Sequence, residues 1–368
     1  MTTTADILVI GGGIAGIGVA ARLSGSASVV VLESEDVIGR HATGRSAAIF
    51  IKNYGNATLR ALNAASEPLL ATGGDLSDTP FLTPRGELVV ATAGEEGDLE
   101  SYLDGSDGLE RLTPAEAVAM FPILNPEYVV AAALERAAQD IDVDRLLQAY
   151  ARMARHNGAR VVASAPAMNI TRTGGVWQVE AGGETYAAPI LVNAAGAWAD
   201  TVAERAGVRP AGLVPLRRSA AILPAPEGCD VTGWPALVSA SETWYAKPEA
   251  GKLMVSPADE DPVEPHDAWP EDMVLAEGLH RYEQAMTVPV TRVERSWAGL
   301  RTFTADRTPV VGFDPEADGF FWLAGQGGYG IQTSPVLSEL AAALCLSQTP
   351  DLPASLLAAL SPARLARA

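Results

Sequence analysis

Arg301 follows the apolar stretch Trp297-Ala-Gly-Leu300. An unpaired guanidinium in such a setting is costly, so Arg301 needs an anion. Arg218, in Pro215-Leu-Arg-Arg-Ser-Ala220, reads as its partner, with Arg217 pointing the opposite way along the strand. Two planar guanidinium forks suit a bidentate oxyanion such as a carboxylate. A structural salt bridge with one of the 45 acidic residues is the other reading of either arginine. Near the other end of the chain, Gly11, Gly13 and Gly16 are spaced as G-x-G-x-x-G behind the apolar run Ile7-Leu-Val-Ile10. The first glycine allows a tight turn, the second lets a pyrophosphate approach the backbone, and the third lets helix pack on strand. Glu33 closes a second apolar run, where a carboxylate can hold ribose hydroxyls. Gly327-Gly-Tyr-Gly330 precedes a helix, so its N–H groups can face a developing negative charge; a plain loop would use the same residues.

These residues need a sheet with helices around it. The fingerprint predicts strand, turn, helix and strand over 7–33. Apolar spacing predicts a helix from Leu59 to Leu70, and Arg85-Gly-Glu-Leu-Val-Val-Ala91 reads as a strand after a Thr83-Pro turn. Thr113-Pro-Ala-Glu116 is a capping box with proline at the first helical position. Asp144 to His156 is amphipathic and is followed by the strand Arg160-Val-Val-Ala163, which returns the chain to the nucleotide sheet. Trp177–Glu180 and Thr185–Ala188 predict a hairpin around Gly182-Gly183. Ile190–Gly196 and Phe320–Gly325 read as core strands, and a final helix starts near Pro335. The segment from Leu213 to Arg295, rich in Pro and Trp, reads as an antiparallel sheet. The expected class is α/β: a Rossmann-like cofactor domain (residues 1–80, 140–210 and 305–368) interleaved with a substrate domain (81–139 and 211–304) on a mixed, largely antiparallel sheet.

A length of 368 residues allows a large core, and 48 % apolar with 19 % charged residues suits a water-soluble enzyme. The net charge of −19 argues against nucleic acid or an anionic membrane as partner. Two cysteines, Cys229 and Cys345, and four scattered histidines make neither a disulfide framework nor a metal site. The first apolar run is explained as strand and helix rather than as a signal peptide, and no later run has the length of a membrane span. A cytoplasmic setting is the expectation.

Four further segments carry a resemblance. Gly39-Arg-His-Ala-Thr-Gly-Arg-Ser-Ala-Ala48, Leu191-Val-Asn-Ala-Ala-Gly-Ala-Trp-Ala-Asp200, Trp297-Ala-Gly-Leu-Arg-Thr-Phe-Thr-Ala-Asp306 and Gly325-Gln-Gly-Gly-Tyr-Gly-Ile-Gln-Thr333 resemble the FAD-dependent D-amino-acid oxidase superfamily. Within it, the chain resembles bacterial D-arginine dehydrogenase almost end to end. The resemblance implies a glutathione-reductase-type FAD fold and a non-covalent FAD, because neither cysteine falls at the family's flavin-linked position. It implies cofactor contacts from Gly11, Gly13, Ile14, Ala15 and Gly16, then Glu33 and Ser34. Next come His41, Thr43, Arg45, Ser46, Ala47 and Ala48, where hydroxyl, guanidinium and backbone donors would face pyrophosphate and flavin. Val162 and the small residues Ala194, Ala195 and Gly196, with Trp198, follow on the adenosine side, although tight strand–helix packing would use the same small residues. Arg301, Gly325, Gly327, Gly328, Tyr329, Gly330, Ile331, Gln332 and Thr333 complete the set.

For the substrate, the resemblance implies that Arg218 and Arg301 hold an α-carboxylate. Tyr54 and Tyr245 would close over it, Gln332 would help orient the amine, and Gly328 would touch flavin and substrate together. Glu87 matches the carboxylate that holds the guanidinium of D-arginine. One departure stands out: D-arginine dehydrogenase has a histidine and then Tyr-Thr after Ser-Ala-Ala, where this chain has Ile49-Phe-Ile51. A more apolar wall makes large apolar or cyclic amino acids plausible beside basic ones. The expected reaction is oxidative deamination of a D-amino acid by hydride transfer from Cα to flavin N5, giving an imino acid that hydrolyses to a 2-oxo acid and ammonia. A secondary or cyclic amine oxidase acting on sarcosine or proline, and a flavin-binding redox subunit without its own substrate, are the alternatives. Oxygen and a quinone both stay open as electron acceptor.

Overall fold

The computed structural model describes residues 2–365. Its first sheet has six strands in the order Arg160–Val162, Val29–Leu32, Ile7–Ile10, Ile190–Asn193, Phe320–Ala324 and Val310–Phe313. The first five are parallel and the last is antiparallel. Ile7–Ile10 and Val29–Leu32 are buried throughout, as uninterrupted β-branched and leucine runs require when both faces of a sheet are covered. Ile7, Val9, Val29 and Val31 pack with helices Ile14–Leu23, Val143–His156 and Ser334–Cys345 on one face. Leu8, Ile10, Val30 and Leu32 pack with Trp177, Val179 and Tyr186 on the other, where the expected hairpin, Val176–Ala181 with Glu184–Ala188, builds a four-stranded sheet. The alternation follows the two-residue period of a strand.

The second large sheet gathers nine strands. From one edge these run Asp261–Pro262, Val214–Leu223, Lys252–Ser256, Tyr245–Glu249, Ala236–Ser239, Glu87–Ala91, Ala131–Glu135 and Leu109–Leu112. Arg295–Phe303 pairs along Val214–Leu223 as the ninth. All its pairings are antiparallel except Ala236–Ser239 with Glu87–Ala91. A small fourth sheet, Ile49–Phe50 with Gln139–Ile141 and Leu82–Pro84, lies in chain segments that run between the two large ones. This is the expected α/β architecture, a Rossmann-like layer joined to a mixed, largely antiparallel sheet.

Two local expectations change. The stretch 213–295 contains a helix, Asp272–Gln284, with Leu275, Gly278 and Tyr282 on its buried face. That spacing is helical, but the surrounding Pro- and Trp-rich text masks it. Ser334–Cys345 is also not the final helix, since Ala354–Leu360 follows it. The capping box at Thr113 is present as expected, with Thr113 and Glu116 each bonding the other's backbone.

Candidate active site

A cavity of about 470 Å³ runs from the carboxyl ends of the parallel strands to the second large sheet. Its floor is the glycine fingerprint. Gly11 has φ +107°, and a Cβ there would lie 2.4 Å from the Ala194 carbonyl oxygen. A Cβ at Gly16 would lie 1.9 Å from the Gly11 carbonyl, so this glycine closes helix onto strand behind the wall. Glu33 accepts from the Gly12 N–H at 2.6 Å through Oε2, and from Ser34 Oγ and the Glu35 N–H through Oε1. It therefore stands fixed at the strand end with its carboxylate on the cavity. Thr43 Oγ1 accepts from the Ile14 N–H at 3.0 Å, which satisfies one of the free donors at a helix start that lacks a side-chain cap. The His41 ring bonds Glu35 at 2.9 Å and lies 4.7 Å from the Trp198 ring.

Arg45 departs from expectation in one respect. Its guanidinium donates to the carbonyls of Ala298 (2.9 Å) and Ala268 (3.0 Å) and pairs with Asp267. The charge is thus spent on tying the loop to the second sheet, while Ser46, Ala47 and Ala48 stay on the cavity. Gly13, Ile14, Ala15, Ser34, Ala194, Ala195 and Gly196 also line it, as do Gly327, Gly328, Gly330, Ile331 and Gln332. Four more expected contacts join Gly16 behind the wall. The Val162 carbonyl accepts from the Glu33 N–H, Gly325 packs against Thr304 and Leu213, and Thr333 Oγ1 donates to the Tyr329 carbonyl. Tyr329 itself backs Tyr54, with ring centroids 4.7 Å apart.

At the second sheet the cavity meets Arg301. Its side chain lies under Gly328, where a Cβ would come within 3.1 Å of Cζ. Its Nη1 is buried without a hydrogen-bond partner, and among the described residues no carboxylate forms an ion pair with it. Arg218 is partly committed: Nε donates to the Asp259 carbonyl at 2.8 Å and Nη2 to Glu260 at 3.0 Å. Arg217 donates to Asp261 at 2.7 Å and forms a looser ion pair with Asp259 at 3.5 Å, away from the cavity. Burial would raise the Tyr245 phenol, but Arg301 and Arg218 outweigh it and draw it below the ordinary tyrosine range. Burial holds the Tyr54 phenol above that range.

Gln332 reaches the wall, but its amide is occupied. Oε1 accepts from the Ile51 N–H at 3.2 Å and Nε2 donates to the Ile51 carbonyl at 3.4 Å. The strand Ile49–Phe50 has just ended there, so the Ile51 backbone has no ladder partner and takes the side chain instead. The geometry makes Gln332 a clamp on this segment.

Beyond Arg301 a second cavity of about 90 Å³ continues between Tyr54 and Tyr245. Ile49, Ile51, Val89 and Met254 are among its apolar walls, and Glu87, Tyr102, Glu242 and Lys247, with Arg218, Arg301 and Ser239, are among its polar members. Tyr102 Oη is 3.0 Å from Glu87 Oε2 and 3.2 Å from Glu135 Oε2. Burial and the neighbouring Glu135 push the Glu87 carboxyl up to about 8, against the Tyr102 hydrogen bond. Tyr102, Glu135, Glu242 and Lys247 were not foreseen. The one available signal was a charged residue closing the apolar run Ala131–Glu135, which only strand pairing connects to Glu87.

Residues 6–344 match the model of the family described as FAD dependent oxidoreductase, DAO, and the chain belongs to that family. A glycine oxidase of Geobacillus kaustophilus is 27% identical over 368 residues, covering 94% of this chain and 93% of the relative. The crystal structure of glycine oxidase from that organism superposes with a TM-score of 0.86 at 24% identity, covering 100% of this chain and 99% of that one. L-proline dehydrogenase from P. horikoshii shares the fold, with a TM-score of 0.82 at 21% identity over 99% and 98% of the two chains. The protein is a redox enzyme with non-covalently held FAD. The site fits that group: its floor carries no side chain larger than a methyl at Gly11, Gly13, Ala194, Ala195 and Gly196, and neither cysteine is on the wall. Among the described residues no helix is long and apolar enough to cross a membrane, and no cluster of His, Cys, Asp and Glu could hold a metal.

Proposed function

We propose that this enzyme oxidises the Cα–N bond of a D-amino acid with a basic or large apolar side chain, yielding an imino acid that water converts to a 2-oxo acid and ammonia. The observation that carries the reading is the buried, unpaired Nη1 of Arg301 where the two cavities meet. An α-carboxylate supplies the missing anion, and the Arg218 guanidinium beside Tyr245 adds a second positive charge. With the carboxylate fixed there, Cα faces the main cavity and the side chain enters the second one. Tyr54 and Tyr245 flank the junction and exclude water. FAD, when bound, supplies the two-electron acceptor for the hydride that leaves Cα. Positioning by the arginines lowers the barrier by replacing random encounter with a fixed approach.

Several relatives are named for small or secondary amines, among them the glycine oxidase above. The second cavity favours a longer substrate, because glycine and sarcosine would leave it without a side chain. The D configuration rests on the likeness to D-arginine dehydrogenase in the segments around Tyr54, Glu87 and Arg301. Steady-state turnover with an artificial dye acceptor tests the reading, scoring 2-oxo acid and ammonia from D-Arg, D-Lys, D-Met and D-Phe, their L forms, glycine and sarcosine. Higher kcat/KM for the D-amino acids supports it. Turnover confined to glycine, sarcosine or L-amino acids overturns it.

A further inference from the structure

Two buried carboxylates face each other at the end of the second cavity. Glu87 and Glu135 are directly opposite in antiparallel register, and both are nearly inaccessible, at 7 % and 1 % exposure. Like charges so placed repel, and burial adds to the cost. The Glu135 carboxylate is well supplied, accepting from the Lys52 and Asn53 N–H groups (3.0 and 3.4 Å) and from Asn53 Nδ2 at 2.9 Å. Glu87 has the Tyr102 hydroxyl, and Tyr102 stands between both carboxylates with a single hydrogen to give. The three oxygens are therefore one positive centre short.

We propose that Tyr102 and Glu135 determine which side chains the second cavity takes: they leave Glu87 to be completed either by a proton, which suits a neutral substrate, or by a cationic side chain that displaces that proton. This deepens the proposed function and rests on it for the identity of the substrate. Binding of the cation moves one proton from Glu87 to solvent, so the charge of the cluster does not change. The elevated Glu87 carboxyl, at about 8, agrees with the proton being resident at neutral pH.

Other charged groups around the cavity do not complete the cluster. Lys247 is held by Asp140 at 3.0 Å and Glu249 at 3.1 Å. The Lys52 ammonium pairs with Glu67. Arg218 bonds Glu260, and Arg301 stands at the junction with the main cavity. Glu242, at the exposed rim, adds negative charge and raises the Glu87 carboxyl further. Of the two tyrosines on the cavity, burial holds the Tyr54 phenol above its ordinary range, while Arg301 and Arg218 draw the Tyr245 phenol below it.

The test is calorimetric titration of the oxidised holoenzyme with n-propylguanidinium at pH 7, in two buffers of different ionisation enthalpy. A carboxyl at about 8 predicts release of about 0.9 proton per cation bound. Glu135→Gln removes the like charge, lets Glu87 ionise at lower pH and reduces the release, while burial, the larger cause of the elevation, remains. Tyr102→Phe keeps the release and weakens binding. No binding at millimolar concentration, or equal apparent enthalpy in both buffers for the unsubstituted enzyme, overturns the proposal. A second readout is the ratio of kcat/KM for D-Arg to that for D-Met, which follows the ratio of ionised to protonated Glu87 and should rise roughly 1000-fold from pH 6 to pH 9. A flat ratio overturns it as well. If neither amino acid is oxidised, the substrate reading fails while calorimetry still decides on the cluster.

Discussion

Arg301 carries a buried guanidinium whose Nη1 has no hydrogen-bond partner, and the proposed function gives that place to a substrate carboxylate. Its neighbour Arg218 is anchored by Glu260 and the Asp259 carbonyl, so the two arginines differ in kind: one holds its place, the other has an open valence. Removing one member of a buried charge pair costs ~2–5 kcal/mol. Arg301→Ala should therefore lower kcat/KM by roughly 30- to 5000-fold while the visible flavin spectrum stays that of the loaded enzyme. Unchanged kinetics would separate Arg301 from the substrate. Its need for an anion could be read from the apolar residues before it, because burial of a strand is a local property. The partners of Arg218 could not, since Glu260 lies 42 residues away and meets it only through the strand pairing of 214–223 with 261–262. Glu87 shows the same limit. Its identity pointed to a solitary cation anchor, whereas its protonation is set by Glu135, across a register that no local motif reports.

At the scale of elements, the site depends on how short segments are held. Ile49–Phe50 is a two-residue strand, and Gln332 from the C-terminal loop fixes the chain directly after it. Gln332→Leu leaves the Ile51 N–H unpaired in a buried setting, at ~1–3 kcal/mol, while the Ile51 carbonyl still accepts from the Tyr54 N–H and Asn63 Nδ2. The expected result is a lower thermal midpoint, together with a raised KM, because Ile49, Ile51 and Tyr54 all border the second cavity. A raised KM with an unchanged midpoint would mean that Gln332 meets the substrate directly. Elements with local signatures were readable beforehand: the glycine turn, the capping box at Thr113 and the hairpin at Gly182-Gly183 each rest on residues within a few positions. Asp272–Gln284 escaped because its apolar face is short (Leu275, Gly278, Tyr282) and packs through Gly278 on Pro257, a contact that belongs to the tertiary fold.

Across the whole molecule, the two large sheets divide the work. The parallel sheet ends in the glycine floor and Glu33, while the antiparallel sheet supplies Arg218, Tyr245, Arg301 and Glu87. Arg45 ties them together: it stands in the cofactor loop and gives its guanidinium to residues 267, 268 and 298. Both cavities border Arg301, so under the proposed function a substrate bound there would have Cα toward the larger cavity and its side chain in the smaller one. The most direct measurement is anaerobic mixing of the oxidised holoenzyme with D-Met or D-Arg while following the visible flavin band. The account predicts complete bleaching within a single turnover, with the corresponding L-amino acids far slower. A flavin that stays oxidised with every D-amino acid, or that is bleached by glycine or sarcosine alone, would contradict it.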